Sequence, residues 1–299
     1  MITRMKRSAR LLLHNNLARG VAITLILLSA AALFKALETI CLLIVNALGF
    51  SASAASGGTL GGLLAQMPMV SPINVAVTAS LVLLGIVIIA PLVVGSKRWY
   101  YRLSSGQSDS IGEVFGYYET PRMFIKSLLL LLDISLRSFL WVYVLLLPGA
   151  LLGTAGIAML TARIAVRNAR LLGTIAVVMG AALSLLGLIY ALFLSLRYFL
   201  APYLFCEQER PSVTKAVRQS VRYMRGVQPR LIGLGCSFLL WTLSCLFILP
   251  AIYAVPYMQS TFALFARYHI ERGRSEDARA QYQPAGDADT AQYDDYAQE

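Results

Sequence analysis

Residues 73–95 read INVAVTASLVLLGIVIIAPLVVG, an apolar run without one Asp, Glu, Lys or Arg. The charge-free interval is longer still, from Thr39 to Ser96. A helix needs about 20 mostly apolar residues to cross a hydrocarbon core roughly 30 Å thick, and this run supplies them. Working outward, similar runs recur until about residue 270, where a polar segment begins. The whole chain of 299 residues is 58% hydrophobic and only 14% charged, against about 25% charged for a soluble domain. The expectation is an all-α, polytopic transmembrane helical bundle over residues 1–270.

Six spans fit the apolar runs: 21–46, 73–95, 127–148, 171–203, 231–250 and 251–270. Pro250 is read as the tight turn between the last two, and 49–72 as an uncharged loop rich in Gly, Ser and Ala. The apolar stretch after the basic start is too long for a cleaved signal and contains Lys35 and Glu38, so it reads as a retained first helix. Lys and Arg concentrate on the cytoplasmic side of a membrane protein. With the N-terminus inside, twenty of the 26 basic residues fall in cytoplasmic segments and only Arg163, Arg167 and Arg170 outside. This gives a topology with both termini inside, and a multi-pass protein of the bacterial cytoplasmic (inner) membrane. Thr161–Arg170 reads as a helical extension beyond the outer interface.

The formal charge of +11 therefore points to anionic lipid headgroups in the bilayer. Nucleic acid is not expected, because no base-reading module is visible. Residues 212–225 set Val213, Ala216, Val217, Val221 and Met224 on one helical face. Lys215, Arg218, Arg222 and Arg225 lie opposite them. An apolar face opposed to a basic one suits a helix lying at the headgroup level, and the four cations are candidate anionic-lipid contacts. The other reading of this helix packs its apolar face on protein. Ser110–Tyr118 reads as a shorter cytoplasmic surface helix of the same kind. Ala90-Pro91 precedes it as Ala201-Pro202 precedes the other, a pattern that fits a degenerate parallel duplication.

Charges also occur inside the spans. Lys35 and Glu38 lie three apart and Asp133 and Arg137 four apart, each pair on one helix face. A charge at a bilayer centre costs about 2.5–3.5 kcal/mol on insertion scales. These pairs read either as self-neutralising structural contacts or as parts of a pathway. Pro91, Pro202 and Pro256 each remove a backbone donor and are candidate helix kinks. Arg197 reads as snorkelling to the headgroups.

No catalytic, cofactor or metal site stands out. Cys41, Cys206, Cys236 and Cys245 are scattered, only His14 and His269 offer imidazoles, and no hydrolase or metalloprotease signature occurs. The expectation is a non-enzymatic protein without cofactor, organising or regulating membrane components or sensing the lipid surface. A membrane-protein partner is part of that expectation. The alternative is a small transporter or permease using the charge pairs. Residues 271–299, with Asp287, Asp289, Asp294, Asp295 and Glu299 near the end, read as a disordered acidic cytoplasmic tail.

One part of the sequence is more distinctive. It comprises Arg197–Tyr203 (RYFLAPY), then Ser212, Ala216, Ser220, Met224 and Gly226, then Ser237-Phe238-Leu239-Leu240-Trp241, then Pro256-Tyr257 and Thr261. This resembles a bacterial family of six-helix integral membrane proteins catalogued as a domain of unknown function. It is distantly similar to YciC-like proteins and to the membrane part of some glycerophosphodiester phosphodiesterases. The region Arg163–Leu188 and the short turn at Pro250 depart from the family pattern. The resemblance implies fold and location; it implies no reaction and no catalytic residue.

Overall fold

The computed structural model describes residues 2–48, 72–107, 109–161, 168–208, 211–245 and 248–282. Among these residues every regular element is helical. In chain order they are α1 (Ile2–His14), α2 (Leu17–Ala47), α3 (Pro72–Ser104), a 3-10 turn (Ile111–Phe115) and α4 (Pro121–Thr161). Next come α5 (Ala169–Ser195), a 3-10 turn (Leu196–Tyr198), α6 (Ala201–Glu207), α7 (Val213–Tyr223), α8 (Gln228–Cys236), α9 (Leu239–Ser244) and α10 (Ile248–Tyr282). Proline opens α3 and α4, where its missing N–H costs no helical bond.

Among the described residues, four stretches are long and apolar enough to cross a bilayer: Leu17–Ala47, Pro72–Ser104, Pro121–Thr161 and Ala169–Glu207. Their most apolar windows reach mean hydropathies of 1.9 to 2.8, yet at most 28% of each window is buried within the protein. Leu33, Leu83, Leu136 and Leu186 are among the many large apolar side chains left uncovered. In water such surface would be costly; in lipid it is the ordinary exterior.

Several expectations change. The expected third span, 127–148, lies within a longer helix: α4 runs unbroken through Pro148 for 41 residues, about 61 Å of helix. The run expected as a fifth span, 231–250, is divided among α8, α9 and the start of α10. Its nine-residue first piece is about 14 Å long, half of a crossing. Gly233 and Gly235 weaken the helix there. The Ser237 hydroxyl donates to the Leu234 carbonyl at 2.5 Å, a local bond that competes with the helical ladder. Pro250 is no turn; it lies in the first turn of α10, a position that tolerates proline. The loop 49–71 and residues 162–167 lie outside the described residues.

The chain divides into two compact units. The first comprises residues 1–5, 134–237 and 261–299, the second residues 6–133 and 238–260. In the second unit, Trp99, Tyr100, Val114, Phe238 and Tyr257 are buried. Lys6 lies 4.1 Å from the centre of the Phe238 ring and Arg10 5.4 Å from that of Tyr257, so α1 is held by cation–π contacts. The Tyr100 hydroxyl donates to the Gly20 carbonyl at 3.3 Å. Ser110–Tyr118 forms only the 3-10 turn, drawn tightly onto α3: a Cβ on Gly95 would overlap the Val114 carbonyl.

In the first unit, α4 and α5 pair antiparallel along a glycine seam. Gly149 faces Gly180 and Gly156 faces Gly173, while Gly187 abuts the Leu145 carbonyl. Small residues let helix backbones approach closely, which is how packing holds helices together where lipid is as apolar as the side chains. The core of this unit is Leu200, Tyr203, Phe205, Ala216, Met224, Leu234 and Phe265.

Candidate functional site

The first unit carries the candidate site, and the break after α5 sets it up. Pro202 sits at the start of α6, so it marks the interruption between two helical pieces and not a kink within one. Pro91 and Pro256 remain inside continuous helices. At the break, the Arg197 carbonyl accepts a hydrogen bond from the Ser220 hydroxyl of α7 at 2.7 Å. Arg197 Nε is buried without a hydrogen-bond partner among the described residues, while the residue as a whole is half-buried.

Ser212 precedes α7 in extended conformation, and its N–H donates to the Gln208 side-chain oxygen at 3.0 Å. Gly226, with φ +72°, ends the segment in the left-handed conformation glycine adopts without a Cβ penalty. Between these limits Ala216, Val217, Ser220 and Met224 are buried, while Lys215, Arg218, Arg222 and Arg225 are exposed. The expected face separation is therefore present, but its apolar side is covered by protein. The α7 apolar face is thus not available for insertion between lipid headgroups. Only the basic face is free to meet another surface.

The polar half of α10 closes the site. Residues 271–282, expected within the disordered tail, continue this helix to Tyr282. Ion pairs one turn apart, Arg267–Glu271 at 2.7 Å and Arg272–Glu276 at 2.8 Å, support it. Longer-range bonds anchor it. Arg274 contacts Glu207 at 2.8 Å, and Asp277 receives both Arg222 at 2.5 Å and the Tyr223 hydroxyl at 2.9 Å. Burial, together with that bond to Asp277, pushes the Tyr223 phenol above its ordinary pKa, so it remains a donor at neutral pH. Residues 283–299 lie outside the described residues.

His269 faces inward on this helix, 2% exposed, its ring 4.4 Å from that of Phe265. Burial pushes its pKa down to about 4, and the neighbouring Arg230 and Arg272 guanidiniums add to the effect. The imidazole is neutral at pH 7. The chain belongs to a family. The protein family described as being of unknown function, DUF975, matches residues 4–272, which is nearly the whole chain. No curated protein and no solved structure shows significant similarity to it.

In this DUF975 member the charge pairs expected inside the spans belong to other helices, α2 and α4. Lys35 Nζ contacts Glu38 at 3.0 Å, with the Lys35 side chain 74% exposed. Asp133 is half-buried and Arg137 exposed, one turn apart on α4. Neither pair lies near the α7–α10 arrangement in sequence. Among the described residues no three His, Cys, Asp or Glu side chains are grouped to hold a metal ion, and no cysteine is in a disulfide. His269, Arg230, Arg272 and Asp277 escaped the sequence reading as site residues. For His269 and Arg272 the signal was the spacing of Phe265, His269, Arg272 and Glu276, which fits one continuing helix; Arg230 and Asp277 carried none.

Proposed function

We propose that this chain is a non-enzymatic integral membrane protein of the bacterial cytoplasmic membrane that organises or regulates membrane components in response to the lipid surface. The observation that carries the reading is α7. Its apolar side is spent on protein packing, so Lys215 and Arg218 are held outward on a fixed support. Each basic residue near an anionic leaflet contributes about 1 kcal/mol of attraction. A rigidly mounted basic face responds to surface charge without having to fold first.

The six-span topology with both termini inside belongs to the same proposal. Its last two crossings would be the expected 231–250 and 251–270, which carry no charge between Arg230 and Arg267. In this arrangement α7 and the part of α10 from Arg267 onward lie at the cytoplasmic surface. The exposed Lys35–Glu38 pair in the middle of α2 supports a membrane-protein partner. A half-covered ion pair facing hydrocarbon is costly, and a neighbouring helix would shield it.

The test reconstitutes the protein in nanodiscs of zwitterionic lipid, with or without phosphatidylglycerol, and follows thermal unfolding. Anionic lipid is expected to raise the unfolding temperature, and Lys215→Gln/Arg218→Gln to remove most of that gain. An equal gain in wild type and variant overturns the lipid-surface reading. Single cysteines beside Lys35, Glu38 and Asp133, probed with a membrane-impermeant thiol reagent, are expected to stay unlabelled. Labelling there means a water-filled path and favours the small transporter.

A further inference from the structure

Between the C-terminal turn of α7 and the polar half of α10 lies a cavity of about 390 Å³. That is within the size range of small-molecule sites, roughly 300–1,000 Å³, and much more than a bare ion needs. Its charge is unbalanced. Arg222, Arg225, Arg230 and Arg272 line it against two carboxylates, Glu276 and Asp277. The carboxylates are already engaged, Asp277 by Arg222 and Glu276 by Arg272. Arg225 and Arg230 have no carboxylate within ion-pair distance among the described residues.

The lining also holds a buried polar atom with nothing to bind. His269 Nε2 has no hydrogen-bond partner among the described residues, and the residue is 2% exposed. Leaving such an atom unsatisfied costs roughly 1–3 kcal/mol, so its presence in a cavity wall points to a ligand that completes it. The cavity is shaped by a glycine. A Cβ on Gly273 would come 2.5 Å from the Tyr223 ring, so only glycine lets that ring rest on α10 while its hydroxyl reaches Asp277.

We propose that this cavity binds a phosphate ester, with Arg225 and Arg230 on the phosphate oxygens and His269 Nε2 as the buried hydrogen-bond partner. Guanidinium groups suit this chemistry because their paired N–H donors match phosphate oxygens bidentately. A neutral imidazole can either donate or accept at Nε2, which accommodates a phosphate oxygen or a neighbouring hydroxyl. The ester is either the headgroup of an anionic lipid or a soluble phosphorylated compound. The lipid source rests on the reading of α7 as an element at the membrane surface; the soluble source does not.

The experiment titrates the full-length protein in a neutral detergent with dihexanoyl phosphatidic acid and, separately, with glycerol 3-phosphate, by calorimetry. Saturable binding of either probe is expected. Binding of the lipid alone identifies a headgroup site, and binding of glycerol 3-phosphate identifies a soluble-ester site. Arg225→Gln/Arg230→Gln is expected to weaken binding at least about tenfold, because each charged hydrogen bond removed is worth roughly a factor of ten. Gly273→Leu, which drives Tyr223 out of position, is expected to weaken it as well. No saturable binding of either probe overturns the proposal, as does undiminished binding in both cavity variants with helicity retained. A cavity that binds while the nanodisc experiment shows no lipid response separates this inference from the lipid-surface reading.

Discussion

Two glycines on the same helix hairpin are predicted to respond oppositely to the same substitution. Gly153 of α4 and Gly180 of α5 are both helical and both lie in the paired region. A Cβ built on Gly153 meets nothing within 4 Å. A Cβ built on Gly180 meets Gly153 N at 2.5 Å and the Gly149 carbonyl oxygen at 2.8 Å. Those are backbone atoms of the opposing helix, which cannot rotate away, so the helices must part by about an ångström. Alanine gains about 1 kcal/mol over glycine inside a helix. Gly153→Ala should keep that gain. For Gly180→Ala, overpacking of about 1–3 kcal/mol offsets or exceeds it. The two variants should therefore differ by about 1–3 kcal/mol. At about 2–4 °C per kcal/mol for a chain of this order of size, that is a gap of several degrees. Scanning fluorimetry in detergent on the two variants side by side measures it. If Gly180→Ala unfolds at or above the temperature of Gly153→Ala, the antiparallel glycine seam is not the packing that joins α4 and α5.

Removing the Ser220 hydroxyl in Ser220→Ala leaves the Arg197 carbonyl without the donor that ties α7 to the helix break. An expected loss of about 1–3 kcal/mol can be read in the same assay, and Ser220→Thr should restore part of it. The pKa of His269, about 4 in the folded protein against an ordinary 6.5, predicts a pH dependence. Between these values the unfolded chain binds the proton and the folded one does not, so stability falls as the pH drops from 6.5 to 4. The contribution is bounded at roughly 3 kcal/mol. In His269→Leu this part of the acid sensitivity should disappear, so comparing wild type and variant unfolding temperatures at pH 7 and pH 5 isolates it. Equal acid sensitivity in both proteins would contradict a buried neutral imidazole.

The all-helical character of the chain was legible in the sequence, and so were its longest apolar helices. Four long apolar helices follow from runs such as Ile73–Gly95, because hydrocarbon selects each residue by its own polarity. The start and end of α7 were legible for a similar reason: Ser212 and Gly226 act through their own backbone conformations. What covers a helix face is not a local property. The pattern of Val213, Ala216, Val217 and Met224 is the same whether lipid or protein lies beneath it, and only the fold shows that protein does. The outcome at residues 271–282 was hidden for another reason. Their polarity suggested a tail, but Asp277 and Arg274 find partners in Arg222, Tyr223 and Glu207, more than 50 positions away. Composition and periodicity determined the apolar helices; distant charges and a glycine's missing Cβ decided the cavity, since such contacts depend on approach in space and leave no period in the chain.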